Sequence, residues 1–448
     1  MKNFIFQAFA PASVIVFLSF VLALAPSTAA AQGDYVAGEV VVKLTDAAHL
    51  PAIAAQYDLN PAPLDQFGSR PIFRLQIRSG ATPIQIAQRL VADAQRRVVY
   101  AEPNFITGAP EGSGVSWAGG VSWAGGDPTG AGEGNWYRQK IRLAEAHAIN
   151  RGAGITVAVL DTGVDRAHPA LAGRLIAGFD FVDYDDDPSE AGARATHPLF
   201  GHGTHVAGLV AAVAPEAKIV PVRVLDENGV GNVWVLAEAL RYAATLDPDG
   251  DPATDDAVRV INMSIATRRQ TALLKDIAAD VSCGFSDDGD DDDDDVPGGT
   301  IRVTPRPECL TEGRGGIVIV AAAGNSGASV REFPGAESEN IGGVLAVAAT
   351  NRLDRRANFS NWGGWIEVAA PGDAIISPVP GGGYGVWGGT SMAAPIVAGQ
   401  AALLRSHFRA RRFNATKIVN RIISTSAVVG GAQTPFRVDA AAALSETP

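Results

Sequence analysis

Short apolar runs rich in valine and isoleucine recur along the last two thirds of the chain, and segments with helical spacing of apolar residues separate them. Five runs predict strands, at residues 155–160, 217–225, 257–263, 316–322 and 344–349. Runs that are apolar throughout indicate strands buried on both faces, and their alternation with helices favours a parallel sheet. The pattern therefore predicts a large α/β domain over residues 136–443, with helices on both faces of the sheet.

A smaller pattern precedes this domain. Strands are predicted at 38–44, 71–77 and 97–103, and helical spacing of apolar residues occurs at 47–57 and 83–94. These elements predict a small α+β domain over residues 32–107.

The two predicted domains are joined by a glycine-rich segment, residues 108–135. It contains the sequence Val-Ser-Trp-Ala-Gly-Gly twice in succession, at 115–120 and 121–126. Such a segment buries little apolar surface, so we expect an exposed linker that proteases can cut.

The start of the chain has the pattern of an export signal. Lys2 supplies a positive charge, residues 14–24 are apolar, and the alanines at 29–31 match a cleavage site. The alternative is a membrane anchor, but Pro11 interrupts the apolar run. We expect a signal peptide over residues 1–31 and secretion, extracellular or periplasmic, with no stable membrane span after signal cleavage.

Composition narrows the class of protein. Apolar residues make up 47% of the chain and charged residues 19%, which is typical of a globular protein and excludes a disordered one. The net charge of −12 argues against a nucleic-acid partner, because phosphate binding needs clustered Lys and Arg. An acidic insertion at about residues 283–309 holds eight aspartates between 287 and 295. There a solvated loop is favoured over a metal site.

Three candidate reactive residues stand at predicted strand ends or helix starts. Asp161 ends the first strand, where a helix cap is the alternative interpretation. His202 lies between glycines at a helix start, and Ser391 follows Gly388 and Gly389 before a helix of small residues. Reactive groups of open α/β sheets collect beyond the carboxyl ends of the strands, so these three are candidates for one site.

The three residue types suit nucleophilic catalysis. A serine hydroxyl attacks well only when a neighbouring imidazole takes its proton, and a buried carboxylate fixes the tautomer of that imidazole. Asp161, His202 and Ser391 supply these roles. The developing oxyanion needs preorganised donors, and the side chain of Asn325 and the backbone N–H of Ser391 are suitable.

Four motifs make the chain resemble the subtilisin-like serine proteases, or subtilases. They are Asp161-Thr162-Gly163, His202-Gly203-Thr204-His205, Ala323-Gly324-Asn325 and Gly389-Thr390-Ser391-Met392-Ala393-Ala394-Pro395. The order Asp, His, Ser along the chain is that of subtilisin. The resemblance covers about residues 136–443, and residues 34–104 look like the inhibitory propeptide of the family. It implies a secreted serine endopeptidase made as a zymogen, with no cofactor required for the chemistry.

The resemblance also implies roles for individual residues. Asp161 would orient His202, His202 would act as general base and then acid, Ser391 would attack, and Asn325 would donate to the oxyanion. Polypeptide substrates would bind as an added strand, and the chain's own propeptide would act as an intramolecular inhibitor. The residues that match the substrate-flanking segments are Gly229, Val230, Gly231, Ser264, Ile265 and Ala266. Ala266 departs from the glycine common in the family, and we expect its methyl group to narrow the entrance to the first specificity pocket.

Cysteines and aspartates suggest two stabilising features. Cys283 and Cys309 are the only cysteines, and an even count in an exported protein favours one disulfide over two free thiols. Two aspartate-rich turns are candidates for structural calcium, with solvated turns as the alternative. Their carboxylates are Asp183, Asp185 and Asp187 in the first turn and Asp247, Asp249 and Asp251 in the second.

Two rival functions remain open. A catalytically silent binding module of the same fold would lack or misplace residues of the triad, and the sequence contains all three. A metal hydrolase would use His202 and His205, but no third ligand at helical spacing accompanies them.

Overall fold

The computed structural model describes residues 34–110, 135–246, 248, 256–283, 311, 315–408, 413–429 and 436–445. The predicted signal peptide, nearly all of the predicted linker and the aspartate run lie outside these ranges. Across the ranges described, the model contains no helix with the length and apolar character needed to cross a membrane.

The secondary structure matches the predicted alternation. The strands in chain order are β1 (Tyr35–Leu44), β2 (Asp65–Gln66), β3 (Ile72–Gln76), β4 (Val98–Gly108), β5 (Thr156–Asp161), β6 (Phe179–Asp180), β7 (Lys218–Arg223), β8 (Val230–Asn232), β9 (Val258–Met263), β10 (Val318–Ala322), β11 (Val344–Thr350), β12 (Val368–Pro371), β13 (Ile375–Val379), β14 (Gly383–Trp387) and β15 (Phe436–Arg437). The helices are α1 (Leu50–Tyr57), α2 (Pro83–Val91), α3 (Trp136–Lys140), α4 (Leu143–Ile149), α5 (His202–Val213), α6 (Val233–Thr245), α7 (Ala272–Ser282), α8 (Thr390–His407), α9 (Ala415–Ser424) and α10 (Ala440–Leu444).

The N-terminal domain is an antiparallel sheet with α1 and α2 packed against it. Its strand order is β2-β3-β1-β4, and β4 continues into a pairing with β8 of the large domain. Helix α2 begins at a capping box in which Thr82 and Gln85 satisfy each other's backbone N–H groups, and Pro83 occupies its first position. Alternate residues of β1, including Val40 and Val42, enter the domain core.

The large domain is built on a parallel sheet with the order β15-β12-β11-β10-β9-β5-β7-β6. In β5, Val157 and Val159 join the core on the α5 and α8 side, while Ala158 and Leu160 join the core on the α6 and α7 side. Because both faces are covered, the strand is apolar from Val157 to Leu160. The predicted fold class, α/β with helices on both faces of a parallel sheet, is confirmed.

The N-terminal domain packs on α6 and α7 through charged and polar contacts. Lys43 Nζ lies 2.6 Å from Asp276 Oδ2, and Arg70 pairs with Asp280. Glu102 accepts hydrogen bonds from the backbone N–H groups that open α7, at Ala272 (2.7 Å) and Leu273 (3.0 Å). A carboxylate at this position complements the positive end of the helix. Burial raises the pKa of Glu102 to about 7, although these two hydrogen bonds oppose the shift.

Candidate active site

Asp161 and His202 meet where β5 ends and α5 begins. His202 Nδ1 lies 2.6 Å from Asp161 Oδ1, and both side chains are buried. A Cβ atom on Gly203 would lie 2.1 Å from the backbone oxygen of Gly163 and 3.1 Å from Asp161 Cβ. Only glycine therefore lets α5 begin this close to the end of β5. The carboxylate fixes the orientation of the imidazole.

A second histidine and a tryptophan support His202. Burial lowers the pKa of His205 to about 3, so its ring is neutral at physiological pH. Its Nε2 lies 3.1 Å from the carbonyl oxygen of Ile375 and 3.2 Å from that of Gly385, so Nε2–H is the donor. The Trp387 ring stands edge-on to both histidines, with ring centroids 5.4 Å from His202 and 5.6 Å from His205. His205 thus anchors the β13–β14 hairpin that carries Trp387, a residue the sequence reasoning missed.

Ser391 lies in the first turn of α8, and its Oγ atom is buried without a hydrogen-bond partner among the residues described. Pro395 has no N–H to give to the carbonyl of Ser391, the acceptor it would have in a regular helix. Ser264 Oγ supplies that donor, 2.9 Å from the Ser391 oxygen. Ser264 is in turn bonded by Asn262 Nδ2 at 3.1 Å. The end of β9 is therefore tied directly to the backbone of Ser391.

Asn325 follows β10 and is fixed by Thr390, the neighbour of Ser391. Asn325 Oδ1 accepts hydrogen bonds from the backbone N–H and from the hydroxyl of Thr390, each 2.9 Å long. The hydroxyl of Thr390 accepts a further bond from the Gly324 N–H, 3.0 Å long. With its oxygen held in this way, the amide of Asn325 turns its NH2 group away from Thr390. Asn325 is therefore tied to the residue that directly precedes Ser391.

The two segments predicted to flank substrate both pair with the end of the N-terminal domain. Thr107 lies opposite Gly231, and Gly108 lies opposite Val230. On its other side, Gly108 exchanges two backbone hydrogen bonds with Ala266, 3.0 and 2.8 Å long. The Ala109 N–H also donates to the oxygen of Gly229 over 3.3 Å. Residues Ile106 to Ala109, named here the prodomain tail, thus form a strand between the two segments.

The three aspartates of the first candidate calcium turn each contact a different group. Asp183 Oδ2 lies 2.6 Å from Arg223 Nη1, which also binds Asp180. Asp187 accepts from Ser189 Oγ at 2.6 Å and pairs with Arg166, while Asp185 Oδ1 accepts from the backbone N–H of Asp187 at 2.9 Å. In the portion of the chain that is described, no group of three His, Cys, Asp or Glu side chains is placed to hold a metal ion. Asp183 is thus paired with Arg223 at the end of β7, and calcium at this turn stays a prediction.

Most of the residues in the remaining predictions lie outside the ranges that the structure describes. Asp247, Asp249 and Asp251 of the second calcium turn lie there, as does Cys309. Cys283 is disulfide-bonded, and the pairing with Cys309 stays a prediction. The rival metal site at His202 and His205 does not form, because the first ring binds Asp161 and the second binds backbone carbonyls.

Comparison with known proteins identifies the family to which this sequence is similar. The sequence profile of the subtilase family matches residues 152–440, which is more than half of the chain. The chain belongs to the subtilase family. The profile of the fervidolysin N-terminal prodomain matches residues 23–104. The resemblance drawn from the four motifs is confirmed, and the N-terminal domain is a prodomain of a subtilase.

Individual relatives of this subtilase are named as proteases. A thermophilic serine proteinase of Bacillus sp. (strain AK1) is 35% identical over 76% of this chain and 70% of its own length. Thermitase of Thermoactinomyces vulgaris is 34% identical over 66% of this chain and 89% of its own. A crystal structure of a cold-adapted subtilisin-like serine proteinase aligns with 65% of this chain and 90% of its own, at 28% identity and a TM-score of 0.50. This chain is a serine-type, subtilisin-like endopeptidase.

Proposed function

We propose that this subtilase is a secreted endopeptidase that cleaves polypeptides through an acyl-enzyme formed on Ser391, with Asp161 and His202 completing the triad. The observation that carries the proposal is the 2.6 Å contact between His202 Nδ1 and Asp161 Oδ1. It leaves Nε2 as the nitrogen that exchanges protons with the serine. The position of Ser391 at the start of α8, on the helix that packs against α5, supports the same assignment.

The chemistry runs in two halves. His202 Nε2 takes the proton from Ser391 Oγ as Oγ bonds to the scissile carbonyl carbon, and the carbonyl electrons move to oxygen. His202 then gives that proton to the leaving amine as the C–N bond breaks. Water, activated by the same imidazole, attacks the acyl-enzyme and returns Ser391 to its hydroxyl form. Asp161 stays ionised and stabilises the imidazolium that forms in each half.

The oxyanion is proposed to bind to two donors. One is the Asn325 side-chain NH2, which the Thr390 contacts orient. The other is the Ser391 backbone N–H, which lies in the first turn of α8, where backbone N–H groups have no acceptor within the helix. Donors that are fixed before the reaction need no reorganisation when negative charge develops, and the Thr390 contacts of Asn325 support this role.

Substrate is proposed to add as a strand between the segments 229–231 and 264–266. The pairing of the prodomain tail with both segments supports this, because the tail is itself a stretch of extended polypeptide. The same contacts support the proposal that residues 32–107 act as an inhibitor until the chain is cut. We also propose that residues 1–31 direct export of the chain and that Cys283 and Cys309 form a disulfide.

The proposal is tested by digestion of casein with wild-type protein and with Ser391→Ala. We expect the variant to lose at least about 10⁴-fold of the activity and to persist as the uncut precursor. The matched control is Ser406→Ala on the same helix, where the Ser406 hydroxyl donates to the Ala153 carbonyl over 2.8 Å. Comparable digestion by Ser391→Ala and wild type would reject the proposal.

A further inference from the structure

We propose that Glu190 is a positioning residue that holds Asp161 and His202 in register, an inference that rests on the function proposed above. Its carboxylate bridges the two loops that carry these residues. Glu190 Oε2 accepts from the Thr162 hydroxyl (3.1 Å) and from the Gly201 N–H (3.1 Å). Thr162 directly follows Asp161, and Gly201 directly precedes His202.

The same carboxylate caps α5. Glu190 Oε1 accepts from the backbone N–H and from the hydroxyl of Thr204, each over 2.9 Å. Helix α5 has no capping side chain of its own, because its N-cap residue is Gly201, and no acidic residue lies in its first turn. Glu190, distant in sequence from the cap, therefore satisfies two of the N–H groups that open the helix carrying His202.

The two backbone N–H groups and the two hydroxyls all point their protons at the Glu190 carboxylate. The Thr162 hydroxyl already accepts from the Gly203 N–H (3.0 Å), and the Thr204 hydroxyl accepts from the Asp165 N–H (2.8 Å). Each hydroxyl therefore directs its own proton to the carboxylate, as the two backbone groups must. A glutamine at this position would place an NH2 group against two of these donors, so the amide is not an adequate substitute.

The backbone next to Glu190 packs against the loop that follows Asp161, so the hydrogen bonds of Glu190 restrain that loop. The Val164 N–H donates to the oxygen of Pro188 over 3.0 Å. A Cβ on Gly163 would lie 2.6 Å from the Ser189 oxygen. The segment 188–190 therefore lies directly against the loop after Asp161.

The pKa of Glu190 reflects its burial and its position close to Asp161. Burial raises the pKa of Glu190 to about 7, and the negative charge of Asp161 adds to that rise, while the bonds from Thr204 and Gly201 oppose it. The ionised carboxylate of Glu190 accepts all four hydrogen bonds. In the protonated form, the carboxyl proton would face donors that already point at the same oxygen atoms.

The test compares Glu190→Gln with Glu337→Gln. Glu337 is a buried carboxylate that accepts two side-chain hydrogen bonds, from Gln270 and Asn340, in the loop after β10. Active sites are counted with a fluorophosphonate, and kcat and KM are measured on a peptide substrate. We expect Glu190→Gln to lower kcat about 10- to 100-fold with KM within twofold, because a small displacement of reacting groups is enough for such a loss. We expect Glu337→Gln to keep its kcat even where its melting temperature falls equally.

A second measurement does not depend on maturation or turnover. In the Ser391→Ala precursor, the proton between His202 Nδ1 and Asp161 gives a low-field NMR resonance. We expect Glu190→Gln to shift or broaden it and Glu337→Gln to leave it in place. If Glu190→Gln fails to fold, Thr204→Val removes one of the four donors and is expected to move the same resonance. An unchanged resonance, or a kcat within twofold of wild type, overturns the role of Glu190. Absence of fluorophosphonate labelling in the wild type would instead reject the proposed function.

Discussion

At the scale of the residue, Ala266 is the position where we expect a single methyl group to change substrate preference. It exchanges backbone hydrogen bonds with Gly108 of the prodomain tail, so its methyl group stands on the segment proposed to flank substrate. Removing a single methyl from a pocket changes selectivity by about 1–3 kcal/mol. We expect Ala266→Gly to raise kcat/KM about tenfold for substrates with a large aromatic residue before the cut. Substrates with alanine at that position are the control, and an equal change for both would show that Ala266 does not shape the pocket.

Asn325 gives a second prediction at this scale. Its amide is fixed by Thr390, so replacing it removes a donor without removing the nucleophile. We expect Asn325→Ala to lower kcat by about 10²–10³ with little change in KM, a size borrowed from the oxyanion-hole asparagine of subtilisin. Steady-state kinetics on one peptide substrate measure both constants. A main effect on KM would place Asn325 in substrate binding.

Residue identities in the site were largely predictable, while several of their supports were not. Asp161, His202, Ser391 and Asn325 each stand in a distinctive local motif beside glycines or small residues. Glu190 and Trp387 have no such motif, and they reach the site only through contacts that the folded chain creates. The bond from Ser264 to the Ser391 carbonyl is likewise invisible in the sequence, because it compensates for a donor that Pro395 lacks.

At the scale of the element, we expect the register of the prodomain tail to determine where the chain is first cut. Gly108 lies opposite Ala266 in an antiparallel pairing, and the same register continued for two residues would bring Pro110 opposite Ser264. Ser264 is bonded to the backbone of Ser391. We therefore expect the first maturation cut at the peptide bond that follows Pro110. N-terminal sequencing of the earliest processed form measures this, and a first cut upstream of Gly108 would contradict the register.

Element prediction succeeded where strands are long and buried on both faces. The five runs predicted in the large domain correspond to β5, β7, β9, β10 and β11, with ends displaced by no more than two residues. The sheet strands β6, β12 and β15 have only two to four residues, too few for a periodic signal. The hairpin β13–β14 contains glycine and proline, which indicate turns when they are considered without tertiary contacts.

At the scale of the whole molecule, docking of the prodomain should depend on pH. Docking buries Glu102 and raises its pKa from an ordinary value of 4.5 to about 7. A group whose pKa is raised in the docked state contributes stability that is complete below 4.5 and is lost as the pH rises through about 7. We therefore expect the cleaved prodomain to stay bound at pH 6 and to dissociate more readily at pH 8.

Size-exclusion chromatography of freshly processed protein at the two pH values measures the bound fraction. Glu102→Gln is the matched variant, because it keeps the shape of the side chain and removes its titration. We expect the variant to show a weaker dependence on pH than the wild type. A bound fraction that is larger at pH 8 in the wild type would contradict the assignment of Glu102.

Covalent labelling tests whether Ser391 is the nucleophile of an Asp-His-Ser triad, as proposed above. The matured protein is treated with a fluorophosphonate, digested with a second protease, and analysed by mass spectrometry. We expect one phosphonyl group per chain, located on Ser391, and loss of labelling in Ser391→Ala. A phosphonyl group on another residue, or full labelling of Ser391→Ala, would contradict it.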